Sequence, residues 1–441
     1  MMASATYPER WSILNDRNTV IMLMLVIFTA ITAYVEIMNN WGDLANYYRN
    51  TEEILSGKMP YSEAVFEYPP LSLIFMMVPR LLSWDVTSFH YMFTAQSLIF
   101  ILIGAAVIYK ISDEFIGDRG RGGLILLCLL IFGTHFLIAR NDIYPAVIAL
   151  IGIWLYLKKK FIPAFVIVSL AAMTKLYPAI FLIAMVIPFL IEKKWKTAIT
   201  VTAVSLLVCL IVELPFLITD PSTAFAYLSY HSDRGIQIES VASGFIMLCE
   251  LIVPTDVTWV FSYGSDNIVG TIPDMLAPWM NPLLAASLIV FVGVMSIRIM
   301  KSEEARKNAL PIAALMSLTM ILLFIVFSKV YSAQYYIWIV GILIFSQLNC
   351  FDRAHRDEIL KLLIPFGIFT FLSYTGYVIF DVRTFNAVAV ILVVLKNVFT
   401  ILLTWELIHL CLCETSETKC ENTQGAFASL RDSLKHVTGK S

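Results

Sequence analysis

An aspartate among aromatic residues is the strongest candidate for chemistry in this sequence. Asp43 lies in the segment WGDLANYY, residues 41–48, directly after the first apolar run. Aromatic neighbours at the end of such a run desolvate a carboxyl group in part, and its pKa then rises toward the value that a general base needs. Asp43 also suits the N-terminal cap of a helix that lies on the membrane, and the two roles are compatible. We therefore take Asp43 as the candidate catalytic residue.

Isolated cations beside polar or aromatic residues form a second group of candidates. They are Arg140, Lys175, Arg234 and Lys329. Arginine binds a phosphate through two parallel hydrogen bonds, and lysine binds it as a point charge. Each cation taken alone also fits a local salt bridge or a side chain that snorkels to the membrane surface. Their common location on one predicted side of the membrane favours a binding site for an anion.

The composition predicts that a membrane positions these residues. Of the 441 residues, 59% are hydrophobic and 15% are charged, and the mean hydropathy is +0.78. A soluble domain carries about 25% charged residues, and runs such as 19–38 and 283–300 approach the roughly 20 apolar residues that span a bilayer. The chain is predicted to be an all-α polytopic membrane protein. The net charge of −2 and the lack of a basic stripe argue against a nucleic-acid partner.

The distribution of Lys and Arg predicts the orientation in the membrane. Most of them lie in every second polar stretch, which is typical of cytoplasmic loops. Both termini are then cytoplasmic, and Asp43 faces the other side. About twelve spans are predicted. They lie near 18–38, 89–110, 122–138, 143–157, 161–191 (two short helices), 197–218, 280–300, 308–327, 336–350, 360–380 and 386–412.

Three stretches depart from simple hairpins. The first external loop, 39–88, is predicted to contain an interfacial helix at 43–56 and a short apolar piece at 70–82. Both flanks of 161–191 are basic, so this stretch must go out and return as helices too short to cross a bilayer upright, which leaves Lys175 in a recessed pocket. The longest external region is 219–279. A membrane domain is predicted for 1–413 and a polar cytoplasmic tail for 414–441.

The seven cysteines are not expected to form a disulfide framework, because their number is odd and their spacing is irregular. Cys411, Cys413 and Cys420 could bind a metal, but we recognise neither an accompanying histidine nor the paired CxxC spacing of a metal site. We therefore predict no metal and no cofactor from the sequence.

Seven motifs, taken together and in order, resemble glycosyltransferase family 87. They are GDLANYY at 42–48, GKMPY at 57–61, YPPL at 68–71, RNDIYPA at 140–146, TKLYP at 174–178, YHSDRGIQIES at 230–240 and KVYSAQY at 329–335. The set is also similar to the first mannosyltransferase of GPI-anchor synthesis, which has paired aspartates. Here Leu44 and Ala45 follow a single aspartate. This difference favours family 87 and argues against a metal bridged by two carboxylates.

The resemblance, which covers residues 40–345, implies a fold and a reaction. The fold is that of the GT-C superfamily, with interfacial helices in the first external loop and a cavity that opens outward. The implied donor is a sugar, expected to be mannose, on polyprenyl or dolichyl phosphate. The implied acceptor is a glycan or glycolipid outside the plasma membrane, and membrane lipids are the remaining partners. In related inverting enzymes an acidic residue of the first external loop takes the proton of the acceptor, and we carry this role to Asp43.

The departing phosphate defines what the other residues would do. Glycosyl transfer passes through an oxocarbenium-like sugar, and cations placed at the developing phosphate charge lower the barrier. Arg140, Lys175, Arg234 and Lys329 are the donor phosphate candidates. The candidate substrate ligands are His231, Gln334, Tyr47, Tyr61, Asp142 and Glu239. The tyrosines suit stacking on sugar rings or anchoring at the membrane interface.

Several acids compete with Asp43 for the role of base. They are Asp142, Asp233, Glu67 and Glu239. Asp142 also suits an ion pair with Arg140, and Asp233 suits the orientation of Arg234.

A transporter or flippase of lipid-linked sugars is the alternative function, and a non-catalytic assembly partner is a weaker one. Transporters place polar sites at mid-membrane in broken helices, often in repeated halves. Lys396 inside the last predicted span and the short helices at 161–191 would fit a transporter. The polar motifs gather instead on one side, where the long loops also lie, which favours an enzyme at the membrane surface.

Overall fold

The structure is a computed structural model that describes residues 42–232 and 234–416. In chain order its elements are α1 (Gly42–Leu55), α2 (Ser72–Leu81), α3 (Val86–Ile111, continued by a π-helical turn at Ser112–Ile116), α4 (Arg119–Ala139), α5 (Ile143–Leu157), α6 (Phe161–Thr174), α7 (Ala179–Ile191), α8 (Trp195–Thr219), α9 (Ala226–Ser232), β1 (Ile236–Gln237), α10 (Val241–Ile252), β2 (Thr258–Ser262), β3 (Ser265–Val269), α11 (Thr271–Lys301), α12 (Glu303–Lys307), α13 (Ala309–Phe327), α14 (Tyr336–Val340), α15 (Arg353–Phe380) and α16 (Ala387–Glu414). Short 3₁₀ turns lie at Ala333–Tyr335, Ile342–Gln347 and Val382–Thr384. The predicted first span, 18–38, and most of the predicted tail lie outside the described residues.

Seven helices in the described ranges are long and apolar enough to cross a membrane. They are α3, α4, α8, α11, α13, α15 and α16, with 19 to 31 residues each. A helix of 20 residues is about 30 Å long, which matches the apolar thickness of a bilayer. The prediction of an all-α polytopic membrane protein is confirmed. The interfacial helix predicted at 43–56 is α1, and the short apolar piece at 70–82 contains α2.

The long helices differ in how much of their surface the protein covers. In α13, 72% of the apolar window is buried inside the protein, whereas in α8 and α11 only 17% is buried. On α8, Ile199, Leu206 and Ile218 are 67%, 67% and 74% exposed. Apolar side chains exposed in this number along one helix are stable in lipid and unfavourable in water. We infer that α13 is a central helix and that α8 and α11 face lipid.

The stretch 161–191 forms the two short helices that its basic flanks predict. Helices α6 and α7 have 14 and 13 residues, so each is about 20 Å long and too short to cross a bilayer upright. Helix α6 packs closely on α5, because a Cβ atom added at Gly152 would lie 2.4 Å from Cγ2 of Val168. Between the two helices Lys175 has extended backbone. The chain therefore turns at Lys175, inside the protein.

The span predicted near 336–350 is not a regular helix. Helix α14 ends at Val340, and a 3₁₀ segment follows at Ile342–Gln347. Residues 335–340 and 342–348 are buried. Irregular backbone at membrane depth is tolerated where protein surrounds it, because neighbouring groups can satisfy its hydrogen bonds. Hydropathy alone could not distinguish this buried piece from a span in contact with lipid.

The region 219–279, which was predicted to be external, contains a small antiparallel sheet that the sequence did not predict. The strand order is β1-β3-β2, with Ile236 opposite Ile268 and Val260 opposite Asn267. Tyr263 and Gly264 join β2 to β3 with positive φ values of 51° and 64°, as in a type I′ hairpin turn. Ile236 and Ile268 pack in a second small core with Val390 of α16. The sheet thereby fixes residues 234–239 against the helical bundle.

Candidate active site

A polar cavity of about 390 Å³ lies between α1, the sheet and the ends of several long helices. Among the described residues, its charged lining consists of Asp43, Arg49, Glu67, Arg140, Lys175, Arg234, Glu239 and Asp266. Gln334 and the aromatic residues Tyr68, Tyr230, Tyr335, Tyr374 and Tyr377 complete much of the wall. Cations and carboxylates are equal in number in this lining. A cavity of this kind can bind an anion and can also supply a proton acceptor.

Asp43 and Arg140 form a direct ion pair in the cavity wall. Asp43 is the second residue of α1, so it lies in the first turn and is not the N-terminal cap. Arg140 follows the last residue of α4 in extended backbone. The side chains of Asp43 and Arg140 are 30% and 20% exposed. Two elements that are distant in the sequence thus bring the candidate base and a candidate phosphate ligand together.

Lys175 is held by a buried network beneath the cavity. Its Nζ atom is 2.6 Å from Oδ1 of Asp142, and the indole Nε1 of Trp338 donates a hydrogen bond of 2.5 Å to the same oxygen. The Trp338 ring stacks between Tyr177 and Tyr335, with centroid distances of 4.2 Å and 3.6 Å. Asp142 is therefore the partner of Lys175, and the expected pair with Arg140 does not form, because Arg140 reaches Asp43. The network leaves the ammonium of Lys175 at the cavity surface with its side chain 14% exposed.

Arg234 lies in the segment between α9 and β1 and is held from two sides. Its Nη2 atom is 3.5 Å from Oε2 of Glu67. Its Nε and Nη2 atoms donate hydrogen bonds of 3.2 Å and 2.5 Å to the carbonyl oxygen of Tyr263 in the hairpin turn. The guanidinium also lies 5.7 Å from the ring centroid of Tyr230. The sheet and the loop that carries Glu67 thus position this cation at the cavity.

Glu239 lies in the cavity wall next to a buried lysine. Its Oε2 atom accepts hydrogen bonds from Gln237 at 3.3 Å and Ser332 at 3.4 Å. The Nζ atom of Lys396 donates to the backbone carbonyl of Glu239 at 3.0 Å and lies 3.9 Å from Oε1. Burial raises the pKa of the Glu239 carboxyl, although Lys396, Gln237 and Arg140 oppose the shift. Lys396 itself does not belong to the described lining of the cavity.

Four of the sequence-predicted residues do not belong to the described lining. Lys329 is buried, and its backbone carbonyl accepts a hydrogen bond from Gln237 at 2.9 Å. Tyr47 is buried, and its hydroxyl accepts a bond of 3.5 Å from the backbone N–H of Asn141. Tyr61 donates a bond of 2.6 Å to the carbonyl of Tyr68. Asp142 is buried under Lys175, as described above.

Two further predictions concern residues that the structure does not describe in full. His231 lies near the end of α9, and its side chain is outside the described part of the structure, as is Asp233.

Tyr47 and Tyr61 pack against other aromatic rings, among them Phe93 and Phe216. Both tyrosines therefore belong to the aromatic packing of the core.

Sequence reasoning missed several residues that build the site. Tyr374 and Tyr377 come from the long apolar helix α15, and Trp338 comes from the short helix α14. A polar side chain inside an apolar span is a general signal of function, and Tyr374 carries that signal. Trp338 carries no such signal, because one tryptophan in an apolar run is ordinary. Asp266 could not be recognised from the sequence, because it reaches the cavity wall only through its position on β3.

Comparison with known proteins assigns the chain to a family. The sequence profile of glycosyltransferase family 87 matches residues 66–328, which is more than half of the chain. The matched range includes Arg140, Lys175 and Arg234 and ends before Gln334, and Asp43 lies N-terminal to it. No curated protein matches the chain at a significant level. The chain belongs to glycosyltransferase family 87 and is a membrane glycosyltransferase.

Proposed function

We propose that the protein transfers a sugar from a polyprenyl or dolichyl phosphate donor to a glycan or glycolipid acceptor outside the cytoplasm, with inversion at the anomeric carbon. Mannose is the proposed sugar, on the resemblance of the motifs alone. One observation carries the proposal: a single cavity contains Asp43 together with Arg140, Lys175 and Arg234. A carboxylate and several cations within reach of one another are the groups that this reaction needs.

The proposed reaction is a single displacement. Asp43 accepts the proton of an acceptor hydroxyl, and the oxygen attacks C1 of the sugar. The bond between C1 and the phosphate oxygen breaks, and the phosphate leaves with the electron pair. Attack from the face opposite to the leaving group inverts the anomeric carbon. Arg140, Lys175 and Arg234 stabilise the charge that develops on the phosphate, and a cavity with little water strengthens this stabilisation.

The ion pair of Asp43 and Arg140 suggests how donor and base are coupled. In the pair, the guanidinium of Arg140 occupies the carboxylate of Asp43 and keeps it from an acceptor hydroxyl. A donor phosphodiester carries the same single charge as the carboxylate, but it offers Arg140 a bidentate partner that gains a second charge as the bond to C1 breaks. When Arg140 turns to the phosphate, the carboxylate of Asp43 becomes available to the acceptor hydroxyl. The base would thus be active mainly when the donor is bound.

The remaining residues are proposed to support this arrangement. Gln334 and Glu239 are proposed to bind hydroxyl groups of the sugar or acceptor from the cavity wall. His231 is proposed as a further substrate ligand, and Lys329 as a cation that adds to the field at the phosphate from behind the wall. Asp142 is proposed to position Lys175.

The proposed side of the membrane follows from the charge distribution. Most of the Lys and Arg residues outside the site lie in the loops assigned to the cytoplasm. The cavity would then open to the extracytoplasmic side of the plasma membrane, with both termini in the cytoplasm. The polyprenyl chain of the donor would remain in lipid while its phosphate enters the cavity.

The deciding experiment measures transfer by the purified chain. The protein is incubated with radiolabelled polyprenyl-phosphate mannose and a membrane-lipid extract, and the anomeric configuration of the labelled product is determined. In Arg234→Gln we expect the KM for the donor to rise about 10- to 100-fold, because a charged hydrogen bond contributes about 1.5–3 kcal/mol. Lys58→Gln is the matched control, since Lys58 pairs with Glu53 at the surface and is outside the described cavity lining.

Two outcomes would contradict the proposed function. One is movement of the lipid-linked sugar across a vesicle membrane without any transferred product, which would favour the flippase. The other is a product that retains the configuration of the donor, which would exclude a single displacement.

A further inference from the structure

Two histidines and a cysteine converge at the end of the bundle that is remote from the cavity. His355 is the third residue of α15, and His409 and Cys413 lie one turn apart near the end of α16. Residues four positions apart share one face of a helix. One ligand atom from each of the three residues lies within 4.8 Å of the others. The cluster is separate from the proposed active site, since 19 residues of α15, about 28 Å along the helix axis, separate His355 from Tyr374 in the cavity wall.

We propose that His355, His409 and Cys413 form a binding site for a divalent transition metal, with Zn²⁺ as the ion. The donor set contains two imidazole nitrogens and one sulfur, which suit Zn²⁺ and other ions of borderline softness. Mg²⁺ and Ca²⁺ require oxygen ligands, which this set lacks. Three protein ligands leave one tetrahedral position for water or another ligand.

The distances in the cluster agree with a tetrahedral metal site. The Sγ atom of Cys413 is 3.6 Å from Nε2 of His355. With Zn–S and Zn–N bonds of about 2.3 Å and about 2.0–2.1 Å, two ligands at the tetrahedral angle lie about 3.6 Å apart. Only a small closing movement of His409 is then needed to complete the set.

The surroundings of His355 have the form that metal sites use to orient a histidine. Oε1 of Glu406 is 2.6 Å from Nδ1 of His355, and both side chains are buried, at 0% and 2% exposure. A carboxylate at one ring nitrogen fixes the tautomer and directs the other nitrogen to the metal. That other nitrogen, Nε2, is the atom that faces Cys413.

His409 supplies an independent observation. Its Nδ1 atom is buried and has no hydrogen-bond partner among the described residues. A buried polar atom without a hydrogen-bond partner is destabilising, and coordination of a metal ion would supply the missing partner. Its ring centroid lies 4.7 Å from that of His355. His409 stands two residues before Cys411, which corrects the expectation that no histidine accompanies these cysteines.

A metal at this position would tie two long helices together. Helices α15 and α16 are joined at the cavity end by the short segment 381–386. The metal would join them again at the opposite end. Because binding free energy at a preformed site adds to the stability of the folded state, occupancy would raise the unfolding temperature of the full chain.

The test uses the full chain in detergent, purified with an affinity tag that contains no histidine. After dialysis against Zn²⁺ and then against metal-free buffer, we expect about one equivalent of zinc per chain. Replacement by Co²⁺ should give the near-ultraviolet charge-transfer band of a thiolate ligand. Both signals should disappear in Cys413→Ser and remain in Cys411→Ser. Cys411 is the matched control, since its sulfur lies 3.4 Å from Oγ1 of Thr319 and outside the cluster.

Two further variants guard against loss of folding as the cause. Glu406→Gln should keep one equivalent of metal and lower the affinity about 10- to 100-fold, as expected for a group that only orients a ligand. His409→Gln should abolish binding while circular dichroism and gel filtration stay normal. A wild-type chain that retains no zinc and gives no thiolate band would overturn the proposal. A thiolate band that survives in Cys413→Ser would also overturn it, because the metal would then be bound by a different cysteine.

Discussion

Arg140, which follows the last residue of α4, contacts the carboxylate of Asp43 in the first turn of α1. The contact joins α1 to the end of a long apolar helix at the wall of one polar cavity. Both partners are partly exposed to this cavity, so each can exchange the other for a substrate group. In the proposed mechanism, this pair is the place where donor binding and acceptor activation would be coupled.

Removing the charge of Asp43 tests its role as base. Asp43→Asn should lower kcat for sugar transfer about 10²- to 10⁴-fold, because an amide cannot accept the acceptor's proton. Expression and thermal unfolding in detergent should stay close to those of the wild type. Glu53→Gln is the matched control on the same helix, since Glu53 faces Lys58 at the surface. Near-normal transfer by Asp43→Asn would exclude Asp43 as the base.

A double-mutant cycle tests the coupling of Asp43 and Arg140. Arg140→Met alone should lower kcat/KM about 10²- to 10³-fold, because it removes a cation from the departing phosphate. Residues that act as one unit are not additive. We therefore expect the double variant, Asp43→Asn with Arg140→Met, to be only slightly less active than the less active of the two single variants. Independent losses that multiply would contradict the coupling.

The pair of Lys175 and Asp142 should contribute strongly to stability. Asp142 is 1% exposed and Lys175 is 14% exposed, and removing one partner of a buried pair costs about 3–5 kcal/mol. Asp142→Ala should lower the free energy of unfolding by this amount, measured by denaturation in micelles. Asp113→Ala is the control, because Asp113 pairs with Arg119 at the exposed surface. Removal of this pair should change the free energy of unfolding by less than about 1 kcal/mol. Equal effects of the two variants would refute this account.

The stability of the protein should depend on pH through Glu239. Burial raises the pKa of Glu239 in the folded chain above the ordinary value of 4.5. Between pH 4.5 and the raised pKa, the folded chain therefore holds a proton that the unfolded chain has released. Stability from this group is then highest below pH 4.5 and falls as the pH rises toward the raised pKa. Glu239→Gln should remove this fall and unfold at a temperature equal to or above that of the wild type at neutral pH.

The measurement for Glu239 is thermal unfolding in detergent at acidic and neutral pH, with Glu53→Gln as the parallel variant. The wild type and Glu239→Gln should differ more at neutral pH than in acid. A variant that is less stable than the wild type at neutral pH would show that the attraction of Lys396 outweighs the cost of burial.

Local properties of the sequence were sufficient for the class of fold. The length of an apolar run predicts a span, because a bilayer has a fixed thickness. The placement of Lys and Arg predicts the orientation, because these residues collect in cytoplasmic loops. Both properties can be recognised within one segment of the sequence. For the same reason the two short helices on either side of Lys175 were predicted correctly. The motifs also indicated the family, which the profile match confirms. The roles of Asp43 and the four cations stay predictions.

Contacts between distant segments were decided only by the tertiary structure. Arg140 could pair with Asp142, its near neighbour in the sequence, or with Asp43, and the direction of each side chain at a helix end determines which pair forms. The same holds for Trp338, which reaches Asp142 from a segment that hydropathy predicts as an ordinary span. Apolar periodicity reports burial and carries no information on which buried side chains meet. Packing supplies that information, and with it the cavity and the cluster around His355.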